Sequence, residues 1–288
     1  MAFDDATVAA FEQWSVELGE LYVAWTRTNR QFAHGPKPNS PAAQEDAVLA
    51  AAFPKLTLPE GSGAGFDAVQ MIDAAAQHML GLKALVDSRT MALAPWPAAR
   101  AVAEHIAHAA WLLEPRITPE ARMARRWMAR LAAAHRMRWV AKTSAQTKAA
   151  RKTREQFRAD LLTRFPDVDT TWDNPANEPE WEIGGESYAG LGRTFKAFAA
   201  HEVTGTTDLY GTLSLFSHPN IVAVSSLSER TDQGDHIVIG YRVDTDAWGS
   251  LVHSATSLVC IAAQAACNYL GCKDDALLRH WVTTYRAS

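Results

Sequence analysis

Apolar residues recur at spacings of three and four over most of this chain, and proline or glycine interrupts them at intervals. That periodicity constrains the fold more than any other feature, because only helices present such residues on one face. Val8, Phe11, Ser15, Leu18, Tyr22 and Trp25 mark a first helix over 6–30. Pro36, Pro38 and Pro41 mark a loop, and a short helix is expected over 42–53. Residues 54–65 are rich in Gly and Pro and lack the Gly-Lys-Ser/Thr ending of a phosphate loop, so they read as a plain connection. Val69, Ile72, Ala76, Met79, Leu80 and Leu82 place a strong helix over 66–87.

Further helices are expected over 97–113, from a Thr118 cap with Pro119 behind it toward Phe165 with a break, and over 188–202 and 206–217. Ile221-Val222-Ala223-Val224 and Ile237-Val238-Ile239-Gly240-Tyr241 read as two strands joined across 232–235. Helices over 246–269 and 273–285 close the chain. The expected class is an all-α bundle with one small late β-hairpin. Residues 1–288 form a single domain in this reading, with 1–90 as a candidate N-terminal subdomain and 91–288 as the core.

Composition narrows the function classes. Hydrophobic residues make up 48 % and charged residues 21 % of the 288, which is ordinary globular usage and excludes wholesale disorder. No stretch reads as a membrane span, and the N-terminus is acidic where a signal peptide is basic, so a cytoplasmic location is expected. The cysteines, Cys260, Cys267 and Cys272, form no Cys-x-x-Cys pair, and neither a disulfide nor a zinc site is expected.

The net charge of −4 conceals a segregation. Residues 122–158 hold twelve Lys or Arg and one acid, Glu155, a segment charge of +11 that leaves −15 for the rest of the chain. Acids follow at once: Asp167, Asp169, Asp173, Glu178, Glu180, Glu182 and Glu186. On a helical wheel, Arg122, Arg125, Arg126, Arg130 and Arg136 share one arc, while Met123, Trp127, Met128, Leu131 and Trp139 share the opposite one. Arg122, Arg126 and Arg130 then either face solvent and grip phosphate, or pair with the acidic segment 167–186. The second is the expectation here, since a return loop between adjacent blocks costs little closure entropy.

Two constellations carry candidate chemistry. Tyr210, Ser214 and His218 are spaced by four, so they share a helix face, with His218 at its C-terminal end. Ser214 with His218 has the makings of a nucleophile and base. Arg100, Glu104 and His108 are spaced likewise, with His105 beside them. Glu104 and His108 complete the candidate catalytic set, and Arg100, Tyr210, Arg122, Arg126 and Arg130 the candidate binding set. One i,i+4 pair falls short of a di-iron motif, so no metal and no cofactor is expected. The two groups are expected to meet across a helix interface.

The stretch from Arg100 through Glu104, Trp111 and Glu114-Pro115, then Pro119 to Arg125, resembles a pattern in uncharacterised actinobacterial helical proteins. The Tyr210/Ser214/His218 element and Gly271-Cys272-Lys273-Asp274 near Trp281 are similar to their late segments. The resemblance spans roughly 97–285 and implies a shared fold. A more distant likeness is to helical proteins of the HEPN type, which carry an Arg four to six residues before a His; residues 211–214 here contain none. Three function classes stay open: a nucleic-acid-directed, ribonuclease-like protein using the basic helix 122–158, an enzyme or binder of a small molecule, and a non-catalytic interaction protein. Homo-oligomerisation stays open with them.

Overall fold

The apolar stripes meet around two helices, α3 (Glu60–Ser88) and α10 (Thr245–Leu270). The structure is a computed structural model that describes residues 3–54, 59–90, 92–168, 181–188, 190–202 and 209–286. Among these lie eleven helices and two two-stranded antiparallel sheets, an all-α bundle with small β elements. α3 packs on α1 (Asp5–Phe32), α2 (Pro41–Ala52), α4 (Pro95–Leu112), α5 (Pro119–Val140) and α10. One core cluster takes in Phe11, Leu18 and Trp25 of α1, Ile72 and Met79 of α3, Ile106 of α4, and Val259 of α10. α10 is apolar nearly all round. By length and composition it could cross a membrane, yet 72 % of its most apolar window is buried inside the fold.

Local chemistry sets many boundaries. Asp4 caps α1 by accepting from Thr7 N at 2.7 Å, and Thr118 caps α5 by accepting from Ala121 N. The basic segment breaks after Val140, and α6 (Ser144–Arg164) restarts through a reciprocal capping box between Thr143 and Gln146. Gly271 ends α10 at φ 73°, and a Cβ there would also approach Ser40 Cβ to 2.8 Å.

Three expectations are corrected. α3 begins at Glu60, six residues before its expected start, and runs through Gly61, Gly63 and Gly65. Those glycines mark close approach rather than a loop: a Cβ at 63 would sit 2.2 Å from the Arg126 guanidinium, and one at 65 would sit 2.7 Å from Leu270. Tertiary packing outweighs a helix-propensity cost of about 1 kcal/mol per glycine. Second, Ile221–Ser226 is a short helix, α9, because Asn220 accepts from both Val222 N and Ala223 N. The hairpin pairs β3 (Ser228–Asp232) with β4 (Ile237–Tyr241), with Asp232 opposite Ile237. Third, part of the expected acidic loop is a tight hairpin, β1 (Glu182–Ile183) and β2 (Glu186–Ser187), turning on Gly184 and Gly185 at φ 57° and 79°. Trp181, Ile183 and Tyr188 anchor it in the core. Asp169, Asp173, Glu178 and Glu180 lie outside the described residues.

A candidate ligand cavity among α4, α5, α7 and α10

The polar groups of α4 and α8 (Leu209–Ser217) do meet. Arg100 Nε lies 2.8 Å from Glu104 Oε1, and Tyr210 donates its hydroxyl to the same oxygen at 3.2 Å. Arg100 Nη1 lies 2.6 Å from His218 Nε2. A guanidinium only donates, so Nε2 accepts, and that bond requires the neutral imidazole with its proton on Nδ1. Trp96 stacks on Phe216 at 4.1 Å beside this cluster. The two remaining members stand apart. Ser214 makes a backbone bond to His218 N and no side-chain bond to its ring. His108 packs edge-on to Trp111, away from α8, and burial first, then Arg136 and His105, lowers its pKa to about 4. His105 uses Nδ1 on the Ala101 carbonyl, and its ring lies 5.2 Å from that of His78. The cluster thus spends its hydrogen bonds on fastening α8 to α4. No group of three metal-ligating residues forms among the described residues.

From Arg122 to Arg130 the basic ridge of α5 packs against α2 and α3, whereas Arg136 is exposed. Arg122 is 2 % exposed: Nε bonds Glu45 at 2.9 Å, Nη2 the Glu114 carbonyl and Nη1 the Leu112 carbonyl. Arg126 bonds Glu60 at 2.6 Å and Asp67 at 3.0 Å, and Arg130 chelates Asp67 at 2.7 and 2.8 Å. Burial alone would raise the Asp67 carboxyl, but Arg130 and Arg126 hold it below the usual carboxylate value. Arg164 of α6 completes the network on Glu60 and lies 4.1 Å over the Trp127 ring. The expectation that Arg122, Arg126 and Arg130 face solvent or pair with 167–186 is therefore corrected. Their partners are Glu45, Glu60 and Asp67, on α2 and α3. Arg125 does pair with the later acidic segment, through Glu186 at 2.6 Å. Burying these charges is tolerated only because each guanidinium meets a carboxylate or carbonyl in good geometry, which offsets the desolvation cost.

The Arg122–Glu45 and Arg125–Glu186 pairs help wall a cavity of about 780 Å³ among α2, α4, α5, α7 (Leu191–Glu202), α10 and the β1–β2 hairpin. Its apolar surface comes from Trp111, Leu113, Phe198 and Ile261. Arg122 and Arg125 form part of its wall, already engaged. Tyr269 closes another side, donating to Glu45 at 2.7 Å while its ring covers Arg122 at 4.6 Å. Burial, foremost, pushes the Tyr269 hydroxyl pKa well up, so it stays a proton donor. Gln264 and Asn268, one turn apart on α10, also line the cavity, and their amides make no hydrogen bond among the described residues.

None of the expected site residues but Arg122 borders this cavity. Two signals were present in the sequence. One is the Gln264/Asn268 pair on an otherwise apolar helix; the other is Glu60 and Asp67, seven apart on one face of α3. Two of the three thiols are inert by placement: burial pushes Cys267 up to about 12 and Cys260 higher still. No protein-family model, curated protein or solved structure matches this chain.

Proposed function

We propose that this chain binds a small organic molecule in the cavity among α4, α5, α7 and α10. The observation that carries the reading is the cavity itself. Its volume of about 780 Å³ falls in the range of small-molecule sites, and it combines apolar walls with a few convergent polar groups. The ion pairs of Arg122 and Arg125 support it, since they fix the walls before any ligand arrives. The test is a fluorescence titration with N-phenyl-1-naphthylamine, a neutral aromatic probe, against the wild type and Ala265→Phe. Ala265 lines the cavity, and a phenyl group there fills part of it. The reading expects saturable binding at one site, lost in Ala265→Phe and retained in Ile237→Thr/Ile239→Thr, which removes exposed apolar groups from the hairpin.

A nucleic-acid reading keeps one supporting observation, displaced from α5 to α6. Lys142, Lys148, Arg151 and Lys152 are exposed and carry no ion pair among the described residues. RNA binding that weakens steeply with salt and disappears in Lys148→Gln/Arg151→Gln/Lys152→Gln would favour it.

A further inference from the structure

Four arginines and three glutamates line the cavity, and their pairing is uneven. Arg122 is engaged through all three nitrogens, by Glu45 and two carbonyls. Arg125 is engaged through Nε by Glu186 at 2.6 Å and through Nη1 by the Trp111 carbonyl at 2.8 Å and Glu114 at 3.6 Å. All three glutamates are therefore spent on these two buried guanidinium groups. Arg116, between α4 and α5, and Arg193, in the first turn of α7, are exposed and make neither a hydrogen bond nor an ion pair among the described residues. Arg193 and Thr194 both line the cavity, so the N-terminal end of α7 opens onto it, and the helix dipole adds positive potential there. The lining as a whole carries one excess positive charge.

We infer that the ligand is a singly charged organic acid, with its anionic group held by Arg193 and Arg116 and its apolar body against Trp111 and Phe198. This rests on the cavity reading above and specifies its ligand class. Guanidinium is the side chain suited to the purpose, since its fork meets a carboxylate bidentately. Two unpaired arginines in a cavity that also presents Trp111 and Phe198 favour a molecule with one acidic end and an apolar body. A polyanion would exceed the charge available, and a neutral molecule would leave both guanidinium groups unused. The Gln264 and Asn268 amides then read polar substituents on the body of the acid.

The test compares two probes with the same aromatic body. 8-Anilinonaphthalene-1-sulfonate carries one negative charge, and N-phenyl-1-naphthylamine carries none. In low salt the wild type should bind the sulfonate about tenfold tighter, and the ratio should shrink as salt rises. Arg116→Gln and Arg193→Gln should each lower the ratio by about threefold, as expected for a partly exposed charge contact. Arg193→Lys should keep most of it. Circular dichroism of each variant checks that the fold is intact. Equal affinities for the two probes, or a ratio unmoved by both Gln variants, would overturn the anion inference while leaving the cavity reading in place. Failure of both probes to bind would overturn the two together.

Discussion

Glu60 should be the most sensitive carboxylate in the molecule. Its side chain is fully buried at the start of α3. Oε1 accepts from Arg164 Nε at 2.6 Å and Nη2 at 2.5 Å, and Oε2 accepts from Arg126 Nη1 at 2.6 Å and Trp127 Nε1 at 2.9 Å. Glu60→Ala removes all four acceptor contacts and strands two guanidinium groups 7 % exposed. Arg126 retains Asp67, and Arg164 retains the Asp160 carbonyl at 2.6 Å, so the loss is partial. Breaking a buried pair on one side costs about 3–5 kcal/mol, and the retained contacts place this case near 3 kcal/mol. Urea unfolding followed by tryptophan fluorescence measures it, with Trp127 inside the network as a reporter. A double variant, Glu60→Leu/Arg164→Met, removes one stranded cation and should be less destabilised than Glu60→Ala. A cost for Glu60→Ala below about 1 kcal/mol would refute the argument, because a desolvated cation pair cannot lose its anion that cheaply.

Gly63→Ala drives a methyl to 2.2 Å from a guanidinium that Glu60 and Asp67 hold in place, so it should destabilise by about 1–3 kcal/mol in the same assay. The folded pKa of His108, about 4, lies below the ordinary 6.5, so the unfolded chain binds the proton first on acidification. Its contribution is fully present above pH 6.5 and is lost as pH falls to about 4, up to about 3 kcal/mol. His108→Phe should flatten that part of the stability-against-pH curve. Of the thiols, Cys272 is half-buried and the other two are buried, so a maleimide should label Cys272 first and leave Cys260 and Cys267 until the protein unfolds; equal labelling of all three would contradict the packing.

The sequence carried the helices because each buries a continuous apolar stripe, and a stripe is a local pattern. It misread 54–65 for the same reason: Gly61, Gly63 and Gly65 look like a loop until the partner groups that need the space, Arg126 and Leu270, are brought in from elsewhere. Ile221–Val224 reads as a strand by composition, whereas the Asn220 side chain decides for helix. The polar cluster of Arg100, Glu104, Tyr210 and His218 was legible, because Arg100 and Glu104 are four apart on α4 and Tyr210 and His218 eight apart along the line of α8. The wheel of α5 separated arginines from apolar residues correctly but could not show that Arg122 and Arg126, on the basic arc, are buried as well. The carboxylates that neutralise Arg122, Arg126 and Arg130 lie about 60 to 80 residues earlier in the chain. The cavity was not legible at all, since five helices and a hairpin supply its walls and no local pattern marks Arg116 or Arg193.

The central claim, that the cavity is a ligand site, is tested most directly by a crystal structure grown with N-phenyl-1-naphthylamine. The account predicts the probe between Trp111 and Phe198, with Arg122 and Arg125 unmoved on Glu45 and Glu186. An empty cavity with the probe seated instead on the exposed hairpin residues Ile237 and Ile239 would contradict it.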